Sequence, residues 1–356
     1  MAITNILLFA LGLALLVKGS DYFVKSAASI AKKFGVSEFV IGLTLVALGT
    51  SIPELASAVF ASIKHAGTLV IGNVSGANIA NICLITGTAA AIASIKTREE
   101  MLKRDGYIML LSSVIFLIFI LNGTVSRIEG AALLLLYAAY VMFLIEEKPE
   151  YIGKYHFREF VDYFFRFRYM ITMKSRIMAR IRKRREKKNG MTPYEKRNVW
   201  ELFKAGIAKD LFVMAVGGAA VAYGASLFVN SAIFFAEMLS LPKAVIGVSI
   251  VSIGTTLPEL SVTISAARKG FGNIALGNVI GSCITNMFLI LGVSAAIFPL
   301  HSTSQVLFFI APFLIIASVM LLAFIKSHWE IRRFEGAIFL MAYVAFMIML
   351  FLKSGL

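Results

Sequence analysis

Two glutamates stand where carboxylates are costly. Of the twenty acidic residues in the chain, only Glu54 and Glu259 lie well inside long apolar stretches. One carboxylate at the centre of a bilayer costs about 2.5–3.5 kcal/mol on insertion scales. Two brought within about 5 Å of each other, at an effective dielectric near 20, would repel by roughly 3 kcal/mol more. Something positive must offset this, either cations or protons on the carboxylates. A structural ion pair would need an intramembrane Lys or Arg, and the middle of no apolar stretch holds one. The surrounding residues suit a hard cation. Gly49-Thr50-Ser51-Ile52-Pro53-Glu54 and Gly254-Thr255-Thr256-Leu257-Pro258-Glu259 place Gly and Pro in mid-helix. Proline removes a backbone donor and clashes with the preceding turn, which predicts free carbonyls near Ala47 and Ser252. Broken backbone at membrane depth is tolerated where it lines a cavity or is buried in protein. Thr50 and Thr255 each precede a glutamate by one helical turn and share its face. Carboxylate, hydroxyl and carbonyl oxygens are the ligands of Ca2+ and Na+, and Ca2+ accepts six to eight of them.

A second motif supplies amides. Asn81 and Asn286 follow Gly76 and Gly281 at the same spacing, and those glycines, with Gly72 and Gly277, let helices approach closely. A single Asn on an apolar helix could simply bond a neighbouring helix. Two at matched positions beside matched glutamates point to ion coordination. Asn73 and Asn278 are paired too, but read as the starts of their helices and rank lower.

The elements that must position these groups are apolar spans. The chain is 59% hydrophobic and only 15% charged, with a mean hydropathy of +0.83. A span needs about 20 mostly apolar residues. Ten stretches qualify: roughly 3–18, 37–63, 69–95, 107–121, 128–146, 207–229, 242–267, 273–299, 304–325 and 334–352. Residues 40–92 align without a gap on 245–297, with nearly half of the positions identical. Each half holds five spans, an odd number, so the second half enters the membrane upside down relative to the first. The predicted fold is an all-α membrane protein of ten transmembrane helices in two inverted five-helix repeats. The predicted parts are a first repeat over 1–146, a basic cytoplasmic loop over 147–206 and a second repeat over 207–356. Inverted repeats place a substrate site near the midplane, where the copies face each other.

Charge distribution sets orientation. Net charge is +15, yet all but four of the 35 Lys and Arg residues fall on one side if the spans alternate. The exceptions are Lys64, Arg127, Lys243 and Lys353. Basic loops stay cytoplasmic, so both termini are expected outside and the central loop inside a plasma membrane. That asymmetry argues for a topogenic role and against nucleic acid. Residues 1–18 lack a basic start and a cleavage site, and read as a retained first helix. The loop's 155–190 stretch mixes aromatics with dense basic charge, which suits contact with anionic lipid. Cys83 and Cys283 read as small packing residues, and the four histidines lack metal-ligand spacing. No cofactor is implied, and a monomer is expected to suffice.

GTSIPEL and GTTLPEL, followed by GNVSGANIAN and GNVIGSCITN, resemble the two alpha-repeats of the sodium/calcium exchangers of the cation/calcium antiporter superfamily. The resemblance covers everything but the central loop. It implies alternating access, with four ion sites in a diamond at the midplane where Ca2+ and Na+ compete. Carried over, Glu54 and Glu259 would be the shared carboxylates. Thr50 and Thr255 would bind through hydroxyl or carbonyl oxygens, as would the carbonyls of Ala47 and Ser252. Ser51, Thr256 and Ser282 would help hold Na+, and Asn81 and Asn286 would line the central site. The first and sixth helices would slide across the rest, and Gly12, Gly217 and Gly218 suit a smooth sliding surface. Two departures stand out. Ala77 occupies the repeat position of Ser282, where the family commonly has Ser, so one Na+ site is expected to lack an oxygen. Asn286 stands where the K+-dependent branch places Asp, which implies exchange without K+.

The competing readings are a H+/Ca2+ antiporter of the same superfamily and, in a different class, a cation channel. The proton-coupled branch typically carries Asn where Thr50 and Thr255 stand, so these hydroxyls favour Na+. A membrane enzyme is not indicated, because the spans hold no nucleophile and base set.

Overall fold

Within lipid a chain must satisfy its backbone N–H and C=O groups internally, and a helix does so within one segment. The computed structural model describes residues 2–33, 50–97, 99, 101–146, 157, 160–161, 164, 193–268 and 270–353. The helices are α1 (Ala2–Lys33), α2 (Ile52–Ile63), α3 (Gly67–Ile92), α4 (Tyr107–Ile120), α5 (Arg127–Glu146), α6 (Pro193–Met238), α7 (Lys243–Thr255), α8 (Leu257–Arg268), α9 (Gly272–Ile297), α10 (Val306–His328) and α11 (Arg333–Lys353). Among the described residues 7 helices are long and apolar enough to cross a membrane, and α7 with α8 makes one more if the bent pair is a single span. The protein is an all-α, multi-pass membrane protein. α2 has 12 residues, and residues 37–49 of the expected second span lie outside the described residues. α4 is lengthened at its start by a π-helical turn, Met101–Gly106, which carries Lys103, Arg104 and Asp105.

α3 and α9 form the centre. In their most apolar windows 89% and 72% of residues are buried, against 28% for α11. Both helices are apolar or small on every face, as a surrounded helix must be. Their glycines allow backbone contact: a Cβ on Gly76 would stand 2.5 Å from Val248 Cα, so α7 lies directly on α3.

Each half is also tied to the other at its loops. β1 (Ile95–Lys96) pairs antiparallel with β4 (Glu330–Ile331), bringing Ile95 opposite Ile331 and Lys96 opposite Glu330. β2 (Thr124–Val125) pairs with β3 (Leu300–His301), bringing Thr124 opposite His301 and Val125 opposite Leu300. β1 and β3 occupy matching places in the repeat, yet each pairs with a strand of the opposite half. The π-helical turns recur in the same way. Ala80–Ile85 answers Asn286–Ile290, and Met101–Gly106 answers Val306–Ile310.

The glycines of α1 and α6 have a different role from the one expected. A Cβ on Gly12 would stand 2.7 Å from the Phe228 amide nitrogen, and one on Gly224 would stand 2.8 Å from the Gly12 carbonyl. A Cβ on Gly217 would meet the Gly19 carbonyl and the Phe23 nitrogen at 2.9 Å, while Gly218 faces the Phe23 ring at 3.6 Å. Gly12, Gly217 and Gly218 therefore join α1 to α6 and do not form a surface against the rest of the bundle. The sequence pattern marks such glycines as close-approach points but does not say which neighbour approaches. What rests on Gly254, beside the α7–α8 bend, is the ring of Phe228 and the side chain of Leu13.

Most of the central loop lies outside the described residues. Of those described, Phe160 is buried, with its ring 5.6 Å from Phe143 and 6.4 Å from Tyr140. Phe157 stands 6.2 Å from Tyr107. These aromatics at the start of the expected lipid-contact stretch pack on α4 and α5.

Two adjacent glycines give a test of the α1–α6 interface. Gly217→Ala is expected to destabilise the detergent-solubilised protein by about 1–3 kcal/mol through overpacking. Gly218→Ala should leave stability unchanged or raise it, since Ala is the better helix former by up to about 1 kcal/mol. Thermal unfolding of the two variants, side by side with the parent protein, reads the difference.

Candidate ion-binding site

Proline decides where the site is built. Pro53 and Pro258 cannot continue a helix but are tolerated in the first turn of one. The chain accordingly breaks just before each. Ser51, with φ −88° and ψ 6°, precedes α2, and Thr256, with φ −82° and ψ 4°, separates α7 from α8 at a bend of 49°. Both breaks fall at the same repeat position. Each glutamate then lies in the first turn of the restarted helix, where the partial positive charge of a helix N-terminus favours an anion.

The groups predicted from sequence are buried together with their partners from the other half. Glu54 and Glu259 are each 1% exposed. The Ser51 hydroxyl donates to Glu259 Oε1 at 3.3 Å, and its oxygen lies 3.4 Å from Ser282 Oγ. Thr50 Oγ1 donates to Asn278 Oδ1 at 3.4 Å, and Thr255 Oγ1 donates to Asn73 Oδ1, also at 3.4 Å. These last two bonds are the same bond seen from the two repeats. Asn286 Nδ2 donates to Asn78 Oδ1 at 2.9 Å.

Several oxygens remain unused. Among the described residues neither carboxylate oxygen of Glu54 has a hydrogen-bond partner, nor does Oε2 of Glu259 or Oδ1 of Asn286. Both side-chain polar atoms of Asn81 are unpartnered as well. Buried polar groups are ordinarily hydrogen-bonded, and each exception calls for a cause. Among the exceptions the carboxylate and amide groups all belong to the two matched motifs, and the others are the single hydroxyls of Ser62, Ser294, Ser302 and Tyr343. No cluster of three or more His, Cys, Asp or Glu occurs among the described residues. The donor set is therefore one of hard oxygens, which suits Ca2+ and Na+ better than a transition metal.

Of the two backbone carbonyls expected to be free, that of Ser252 falls within the described residues. Ala47 lies outside the described residues. The Ser252 carbonyl is not free: it accepts the Thr256 amide at 3.0 Å and the Thr256 hydroxyl at 2.9 Å. Its hydroxyl turns back to the Val248 carbonyl. Proline 258 lacks the donor that would serve a carbonyl one turn earlier, at Gly254, and Thr256 caps the carbonyl before the break.

The two halves are not equivalent. Ser51 supports Glu259, whereas Thr256 bonds back into its own helix and the Glu54 carboxylate has no hydrogen-bond partner among the described residues. The position that would complete the matching arrangement holds Ala77, which is fully buried.

Sequence reasoning underrated three amides. Asn73 and Asn278 do not serve as helix starts but lie at the crossing of the repeats. Asn73 Nδ2 donates to Ser57 Oγ at 3.3 Å. Asn278 Nδ2 donates to Thr263 Oγ1 at 3.1 Å and to the Glu259 carbonyl at 3.4 Å. Their retention in both repeats was the available signal. Asn78 was missed because its repeat counterpart is Cys283. Asn278→Leu should therefore destabilise the protein by about 2–3 kcal/mol, since it strands buried partners in the core. Asn73→Leu, with fewer such bonds, should cost less. Thermal unfolding in detergent without Ca2+ or Na+ measures both.

The model of the sodium/calcium exchanger protein family matches residues 4–146 and 209–352. The sodium/calcium exchanger MaX1 of Methanosarcina acetivorans is 53% identical over 99% of both chains. An uncharacterized membrane protein of Methanocaldococcus jannaschii is 32% identical over 97% of both. Rat sodium/potassium/calcium exchanger 3 is 32% identical over 37% of this chain and 21% of its own length. Solved structures of the sodium-calcium exchanger NCX_Mj, soaked with Na+ and Sr2+, cover 97% of this chain and 98% of their own at 30% identity, with a TM-score of 0.58.

Proposed function

The chain belongs to the sodium/calcium exchanger protein family, a family of transporters, and on that premise we propose that it is a secondary antiporter exchanging Na+ for Ca2+ by alternating access. One observation carries the reading beyond the family assignment. Two buried carboxylates, one from each half, hold oxygens with no hydrogen-bond partner among the described residues. A transported divalent cation supplies the compensating charge that such a pair requires.

In this reading Glu54 and Glu259 bind both ions as the shared carboxylates. Asn81 and Asn286 line the central position with amide oxygens. Thr50 and Thr255 add oxygens on either side, as does the carbonyl of Ala47, and Ser51, Thr256 and Ser282 contribute to Na+. The cross-repeat bonds support this grouping, because they draw Ser51, Glu259 and Ser282 together. The site sits where ten spans in two inverted repeats would meet, at 1–146 and 207–356. The termini lie outside the plasma membrane and the 147–206 loop inside, as the basic residues favour. A monomer suffices, and the 155–190 stretch meets anionic lipid beyond its docked aromatics.

Charge sets the coupling. With both glutamates ionised, one Ca2+ neutralises the pair and three Na+ leave it one charge in excess. Exchange at that ratio moves net charge, so it responds to membrane potential. Asn286 in place of a third carboxylate supports exchange without K+.

The test is radioactive Ca2+ uptake by reconstituted vesicles loaded with Na+ and diluted into Na+-free, K+-free buffer. Uptake that depends on the Na+ gradient and falls at least a hundredfold in Glu54→Gln and in Glu259→Gln is expected. A valinomycin-set potential, imposed in a separate K+-containing arm, should shift its rate. Uptake driven only by a pH gradient would transfer the protein to the proton-coupled branch, and a strict K+ requirement would contradict the reading of Asn286. Ala77→Ser supplies the hydroxyl that the first repeat lacks. The same assay should show a several-fold rise in apparent Na+ affinity, and an unchanged Na+ dependence would remove the proposed asymmetry.

A further inference from the structure

An amide binds a cation only through its oxygen, so its orientation is part of the site. The structure assigns that orientation for one of the two central amides and withholds it from the other. Asn78 Nδ2 donates to the Cys283 carbonyl at 3.1 Å. A carbonyl can only accept, so Asn78 must present its own Oδ1 on the opposite side. That oxygen accepts the Asn286 amide Nδ2 at 2.9 Å. Asn286 in turn can only have its Oδ1 on the remaining side, where it is buried and without a hydrogen-bond partner among the described residues. Asn286 follows Ser282 by one helical turn, and Ser282 meets Ser51 beside Glu259. The chain of constraints thus begins at a backbone carbonyl and ends at an amide oxygen turned away from Asn78.

The repeat makes the contrast. Asn78 and Cys283 occupy the same place in the two copies and touch each other, with the Cys283 thiol 3.9 Å from the Asn78 carbonyl. A thiol is a weak donor and weak acceptor and cannot hold an amide in register. Asn81, which Cys283 would have to serve, accordingly has no hydrogen-bond partner for either side-chain polar atom among the described residues.

We propose that Asn78 is a positioning residue that fixes the Asn286 amide with its oxygen toward the ion, and that Cys283 leaves Asn81 without the same support. The proposal rests on the reading of Asn81 and Asn286 as ion ligands. The two central amides then differ before any ion arrives. Asn286 is preset, and its ordering cost is met by folding; Asn81 is oriented only by the ion itself, which weakens binding. Groups that orient metal ligands commonly affect affinity by about tenfold to a hundredfold.

The experiment is equilibrium binding of radioactive Ca2+ to the purified full-length protein, with folding monitored by thermal unfolding. Asn78→Cys installs the residue that the other repeat already carries at this place, and Asn78→Ala is its companion. Both should weaken Ca2+ binding by about tenfold, and neither should weaken it further in an Asn286→Ala background. Cys283→Asn should strengthen binding several-fold, and the gain should vanish with Asn81→Ala. A loss of equal size in the Asn286→Ala background would mean that Asn78 is only helix packing and would overturn the proposal, as would unchanged affinity. If neither Asn78 variant folds, Cys283→Asn decides, and unchanged or weaker binding counts against it. Absence of Ca2+ binding in the parent protein would overturn the ion-site reading itself and this inference with it. Ca2+ binding that is present but unaffected by Asn78 would overturn the inference alone.

Discussion

Two carboxylates held in a low-dielectric interior impose their needs on everything around them. Neither can be left charged and alone, and no basic residue lies in the middle of an apolar stretch to neutralise them. The protein meets this by building around them a set of hard oxygens with partners missing. Proline breaks both helices at matching points, so that each glutamate starts a new helix and feels its N-terminal end. Thr50 and Thr255 lean across to Asn278 and Asn73 of the opposite half. The result is a polar crossing point inside an apolar bundle, closed by contacts that neither half could make alone.

The frame around this crossing keeps the halves in register. α3 and α9 are the most enclosed helices that carry the amides, and the two small strand pairs tie each half to loops of the other. α1 and α6 stand apart from this frame as a pair joined through glycine at Gly12, Gly19, Gly217 and Gly224. Their union makes them a single packing unit against Gly254 and the α7–α8 bend. Any motion of one must carry the other, because a core at native density transmits displacement.

Much of the site was legible because polar residues in apolar spans are conspicuous and the repeat doubles each signal. Glu54 with Glu259 and Thr50 with Thr255 could be found on those grounds, and their burial together follows. Partners were harder to read. Repeat equivalence says which residues match, not which meet. Asn73 looked like the start of a helix, and only the crossing of α3 with α7 makes it a partner of Thr255. Asn78 broke the repeat and so escaped notice, although that break is what separates the two amides. Gly12 and Gly217 signalled close approach, and their neighbour was fixed by packing between segments far apart in sequence. The Ser252 carbonyl looked free from the position of proline, but the amide and hydroxyl of Thr256 reach back to occupy it. Local pattern could not specify that choice of partner.

On the proposed reading, Glu54 and Glu259 together hold one transported Ca2+ at the meeting of the two halves. The decisive experiment is calorimetric titration of Ca2+ into the purified protein, with and without Na+. One Ca2+ should bind per chain, competed by Na+ with a steep concentration dependence, and neither Glu→Gln variant should give a measurable heat of binding. Full-affinity binding that survives the loss of either carboxylate, or that is indifferent to Na+, would contradict it.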